Sequence, residues 1–96
     1  VSDIVAANIL AAEHGTPGDV MNIGGGTNAT VNMVLDFLAS NIGKLNVKRV
    51  ERQKGDVRRT GADSSRAVEH IGFTPQVSLE EGLLREIEWM KGFLAL

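Results

Sequence analysis

Apolar residues recur three and four apart in several stretches of the chain, the spacing that gathers them on one face of a helix. From Ser2 to about Glu13, Ile4, Ala7, Leu10 and Ala11 follow it in a run free of Gly and Pro. Ser2 or Asp3 is placed to cap the amino end. His14-Gly15-Thr16-Pro17-Gly18 stops the helix, with Gly15 suited to a left-handed cap and Pro17 preventing resumption. A second stripe, Val31, Val34, Leu35, Leu38 and Ile42, starts behind Thr30 as cap and closes on Gly43. Asp63 is a good cap for a short third helix, Ser64 to about Ile71, ended by Gly72. The last helix opens on the capping box Ser78-Leu79-Glu80-Glu81 and carries Leu79, Leu83, Ile87 and Met90, with Trp89 and Phe93 flanking.

Between the helices the pattern changes. Asp19–Ile23 reads as a short strand running into Gly24-Gly25-Gly26, and Val47–Glu51 as another. Arg52–Thr60 is polar and without period, an ordered loop or irregular strand. Phe73–Val77 is extended, since Pro75 biases its predecessor away from helix. The expected fold class is a small mixed α/β unit of about four helices and two to three short strands. Residues 1–96 form a single domain, too few strands for a doubly wound sheet.

Composition narrows the function. With 43% hydrophobic and 23% charged residues the chain reads as an ordinary globular protein. Ten basic against twelve acidic residues, a net charge of −2, leave no basic excess for phosphate backbones, so no nucleic acid is expected as partner. The absence of Cys excludes disulfides, thiolate catalysis and Cys-based zinc sites. His14 and His70 sit near helix ends, far from any carboxylate cluster with ligand spacing, so no metal is expected. No apolar run reaches the roughly 20 residues that span a bilayer. No membrane partner and a cytoplasmic location are the expectations.

Gly24-x-Gly26-x-x-Ala29 formally matches the dinucleotide fingerprint, after a strand and before a helix. The acidic residue due about 20 positions later is missing, because Asp36 falls inside the helix and Glu51 comes late. The second βαβ half is missing too. A tight turn in which Gly supplies positive φ accounts for the cluster, with Asn22 orienting it through its amide. No cofactor site is expected in this chain.

Taken in order, Val1-Ser2-Asp3-Ile4 before an Ala-rich helix, Asn22-Ile23-Gly24-Gly25-Gly26, Gly55-Asp56-Val57-Arg58-Arg59-Thr60, Ala62-Asp63-Ser64-Ser65-Arg66-Ala67, Gly72-Phe73-Thr74-Pro75 and Ser78–Leu83 closing on Trp89 form a pattern covering essentially the whole chain. It resembles the extended short-chain dehydrogenase/reductase family, and within it the carboxy-terminal, substrate-binding part of UDP-glucose 4-epimerase-like NAD-dependent epimerases and dehydratases. The resemblance implies that an amino-terminal Rossmann domain, absent here, binds NAD and supplies a Tyr-x-x-x-Lys pair. This chain contains no Tyr, so it is expected to be inactive alone.

The same resemblance implies that the carboxy-terminal part grips the diphosphate and ribose of a nucleotide-sugar such as a UDP-sugar. In similar members an Arg three positions before the Asp contacts the diphosphate and the Asp contacts the ribose. Here Gln53 stands at the Arg position and Asp56 at the Asp position, with Gly55 permitting the sharp turn between them. Gln53, Asp56 and Arg58 are the expected substrate-binding residues, with Arg52, Lys54 or Arg58 the candidates to replace the lost guanidinium. Asp3 and Asp63 read as helix caps, Trp89 and Phe93 as packing residues. The alternative is a stand-alone interaction module of the same fold that covers its apolar face by self-association, a possible homodimer.

Overall fold

A computed structural model describes residues 1–95. Four helices follow one another: α1 (Ser2–His14), α2 (Val31–Ile42), α3 (Ser65–Ile71) and α4 (Leu79–Leu94). Their bounds agree with the periodicity to within a residue or two.

The helix ends explain themselves chemically. Thr30 accepts a hydrogen bond from the Met33 amide (3.1 Å), and Ser78 accepts one from Glu81 (3.1 Å), each satisfying an orphan donor of a first turn. The capping box at α4 is half formed, because the Glu81 carboxylate reaches forward to Arg85 rather than back to Ser78. At α3 the N-cap residue is Ser64, yet Asp63 makes the capping bond, accepting from the Ser65 amide at 3.0 Å. Ser64 is occupied elsewhere: its hydroxyl accepts the Gly24 amide at 2.9 Å. Gly15 ends α1 in an extended conformation, φ −69°, not the left-handed one expected. The left-handed residue is Gly18, φ +81°, third in the turn Thr16–Asp19 closed by a 3.0 Å bond. Pro17 before a positive-φ glycine is a type II turn, and that turn takes over the chain reversal.

The expected strands are absent among the described residues. Neither Asp19–Ile23 nor Val47–Glu51 pairs in a ladder, and a strand exists only through its neighbours. Asp19–Ile23 nevertheless alternates half-buried and exposed positions. Phe73–Val77, expected to be extended, has no helix either and carries Phe73 into the core.

That core is small: Ala7, Ala67, Ile71 and Phe73, with Leu10, Ala11, Met21 and Ile23 packed around them. It lies where α1 meets α3. The radius of gyration, 16.7 Å, exceeds the about 13 Å of a 100-residue domain. The accessible surface, 8091 Å², compares with about 5,400 Å² for a folded monomer of this mass. The chain is spread rather than closed.

Candidate functional site

The loop between α2 and α3 is built around one turn. Gly55, φ +94°, is third in Gln53–Asp56, whose ends are joined by a 3.2 Å bond from the Asp56 amide to the Gln53 carbonyl. Positive φ confined to the third position is again the type II geometry, which glycine adopts without strain. Arg52 braces the turn by donating to the Asp56 carbonyl at 2.8 Å, so its guanidinium is already engaged. The Gln53 side chain donates to the Glu51 carbonyl at 3.1 Å.

Past the turn, Val57–Thr60 crosses the amino end of α2. The two enclose a cavity of about 680 Å³ whose walls include Thr30, Val31, Met33, Val57, Arg58 and Arg59. Its chemistry is divided. Val31, Met33 and Val57 are 75%, 59% and 66% exposed, an apolar wall for a molecule of this length to leave in water. The guanidiniums of Arg58 and Arg59 share this lining, and the first turn of α2, with free amides that carry partial positive charge, borders it. No lining residue is acidic.

Of the three expected site residues, the structure places Arg58 in this cavity; Gln53 and Asp56 lie on the turn before it and do not line it. Arg59 lies within the candidate stretch Arg52–Arg59 without having been assigned a contact, and the amino end of α2 is a lining element that sequence reasoning did not single out. Thr30 as a helix cap was the available signal; the exposure of Val31, which the periodicity places in the apolar stripe, was not legible in the sequence.

The glycine cluster does something different. A Cβ on Gly24 would stand 2.7 Å from that of Ala62, so glycine is needed there for close approach of the two segments. Gly26 has φ +73°, the positive value expected of the turn.

Beside α3, the Asp19 carboxylate, its side chain 8% exposed, takes Arg66 at 3.0 Å and His70 Nδ1 at 2.7 Å. The His70 hydrogen bond, helped by the Arg66 charge, holds its carboxyl below the usual value against an opposing effect of desolvation. Asp63 is lowered as well, by hydrogen bonds from Ser65. Asp3 accepts the Gln76 and Val77 amides at 3.0 and 3.1 Å, tying α1 to the entry of α4 rather than capping its own helix. These groups hold the fold together. Among the described residues no set of three or more His, Asp or Glu is placed to hold a metal ion, and no helix is long and apolar enough to cross a membrane.

The chain superposes on the Bordetella bronchiseptica enzyme WbmF, solved in complex with NADH, with a TM-score of 0.77 and 28% identity over 97% of this chain and 28% of that one. The described fold is therefore a part of a Rossmann-type short-chain dehydrogenase/reductase architecture. Over 92 residues the sequence is 35% identical to the UDP-glucuronate 4-epimerase of Thermodesulfobacterium geofontis, covering 93% of this chain and 28% of that protein. It is 35% identical over 86 residues to a dTDP-glucose 4,6-dehydratase of Streptomyces antibioticus, covering 85% of this chain and 25% of that one. No family model matches the sequence. Over nearly its whole length the chain is similar to NAD-dependent epimerases and dehydratases of the extended short-chain dehydrogenase/reductase family. It spans little more than a quarter of the length of these relatives and corresponds to their carboxy-terminal part.

Proposed function

We propose that the chain is the nucleotide-sugar-binding side of an epimerase- or dehydratase-type enzyme, with the cofactor and the proton-moving groups supplied from outside it. The observation that carries this reading is the cavity between Val57–Thr60 and the amino end of α2. A nucleoside diphosphate has at one end a planar base, whose faces stack on apolar side chains, and at the other two acidic phosphates. The cavity lining holds exposed apolar side chains, Val31, Met33 and Val57, together with the cationic Arg58 and Arg59. Arg58 and Arg59 supply the charge-assisted donors a diphosphate takes. Gln53 and Asp56 stand on the adjoining turn, where the Asp56 carboxylate is available to ribose hydroxyls. The relatives' names support the ligand class, since they act on UDP- and dTDP-sugars.

The chain has no Tyr, so the family's Tyr-x-x-x-Lys chemistry and the NAD site belong to the remainder of such an enzyme. The test is a titration with UDP-glucose and dTDP-glucose followed by residue-resolved amide NMR. It is run on this chain and on a chimera in which the chain replaces the carboxy-terminal part of the Thermodesulfobacterium enzyme. Shifts grouped at residues 28–33 and 53–60, weakened at least about tenfold by Arg58→Ala, are expected. Silence of both proteins up to millimolar ligand would sink the reading.

A further inference from the structure

The charges of this chain are sorted. Residues 44–59 hold seven of its ten Lys and Arg and two of its twelve Asp and Glu, a net charge of +5, so the rest of the chain carries −7. Pairing follows the same division. Outside the segment every Lys and Arg meets a carboxylate: Arg66 meets Asp19, Arg85 meets Glu81 and Lys91 meets Glu88. Inside it no Lys or Arg has a carboxylate partner among the described residues, and all seven are exposed. Two of them donate to neutral oxygens instead, Arg49 to Asn32 Oδ1 at 3.0 Å and Arg52 to the Asp56 carbonyl at 2.8 Å. A field left uncompensated on one side of a molecule acts on any charged solute that approaches it.

The segment runs towards the cavity. The chain leaves α2 at Gly43, and by Arg49 it is back at the first turn of that helix, where Arg49 meets Asn32. Residues 44–49 thus retrace a 12-residue helix about 18 Å long, within the reach of six extended residues. Lys44 starts at the far end. Lys48 and Arg49 arrive at the end where Thr30, Val31 and Met33 wall the cavity, and Lys54 stands on the Gln53–Asp56 turn that adjoins it. None of these four cations lines the cavity itself. Screening decides which of them reach it. At about 0.15 M salt a charge is felt over about 8 Å, which covers neighbours of the first turn and excludes a group one helix length away.

We propose that Lys48, Arg49 and Lys54 form an electrostatic guide, which draws the diphosphate of an arriving nucleotide-sugar to the cavity and does not hold it once there. This rests on the proposed reading of the cavity as the nucleotide-sugar site. A compact dianion suits the arrangement, because at this range it meets the +5 segment alone, whereas a long polyanion would also meet the −7 of the remaining chain. Guidance acts on the association rate and contact on the dissociation rate, so the two roles separate kinetically.

The test is stopped-flow mixing of a fluorescent UDP with this chain and with the chimera, association and dissociation being read separately. Lys48→Gln combined with Lys54→Gln should slow association about three- to tenfold at about 0.15 M salt and leave dissociation within about twofold of the wild type. The charge-keeping pair Lys48→Arg and Lys54→Arg should restore the wild-type rate, which a merely structural role of lysine would not do. Lys44→Gln should change nothing at that salt and slow association at about 0.01 M, where the Debye length is about 30 Å. At about 1 M, with a length of about 3 Å, all of the proteins should associate alike. Equal association rates for the wild type and the Gln double variant at the middle salt overturn the inference. Faster dissociation of that variant overturns it too, since it would make Lys48 or Lys54 a contact. Failure of both wild-type proteins to bind the nucleotide sinks the functional reading and the guide with it, whereas binding at a salt-independent rate sinks the guide alone.

Discussion

The two helix pairs of this molecule are built to the same local rules and end in different states. α1 and α3 close on each other: Ala67 and Phe73 are fully buried, Ile71 nearly so, and the surrounding loops are fastened by Asp3, Asp19 and Ser64. α2 and α4 have the better caps and the cleaner apolar stripes, yet neither helix contains one buried residue. Between them lies an open hollow of about 790 Å³ lined by Leu38, Ile42, Leu83, Ile87 and Met90. A stripe contributes only through the area it removes from water, about 25 cal/mol per Å². Helices of 12 and 16 residues are marginal on propensity and caps alone. Amphipathicity thus marks a face to be covered, and does not itself supply the cover.

The contrast is broken most directly by truncation. Phe73→Ala should cost about 3–5 kcal/mol, enough to unfold the α1–α3 half, whereas Ile87→Ala in α4 should cost under about 1 kcal/mol in the isolated chain. Urea titration followed by circular dichroism reads both; equal losses would show that α2 and α4 are packed as tightly as α1 and α3. In the chimera the Ile87 loss should grow towards the core value.

Asp3→Ala comes next, at about 2 kcal/mol, because one carboxylate holds two consecutive amides. Faster exchange confined to Gln76 and Val77, with residues 20–24 unchanged, is the expected signature. Ser78→Ala should remove about 1 kcal/mol by freeing the Glu81 amide. Its effect belongs on α4 only, seen as fraying of the first turn by NMR.

The smallest effect is acid dependence. Asp19 binds its proton less tightly folded than unfolded, so near its ordinary value of about 4 the unfolded state takes up more protons and stability rises with pH. The contribution is complete above about pH 4 and is lost as pH falls through the lower folded value. Thermal melts of the wild type and Asp19→Asn should differ at pH 6 and converge at the acid end. A constant gap down to pH 2.5 would remove the carboxylate from this role.

The family resemblance was legible because its pieces are local and ordered: the NIGGG run, GDVRRT, ADSSRA and GFTP all stand in the line of the chain. The candidate site was legible only in part. Arg58 and Arg59 stand together in one motif, but Val31 and Met33 became lining residues only when Val57–Thr60 crossed the start of α2, 26 or so residues away in sequence.

What the sequence determined by itself was the set of four helices and their ends, since 3.6-residue periodicity, Thr and Ser caps and Gly or Pro stops act within a few residues of where they stand. Only the tertiary structure decided the rest. It joined the Ser64 hydroxyl to the amide of Gly24, sent Asp3 to the entry of α4, and left Asp19–Ile23 without a ladder. The physical reason is the same in each case: side chains that cap and backbones that pair satisfy whichever partner the fold brings within about 3 Å. For a strand that partner must come from another segment, and among the described residues none is there.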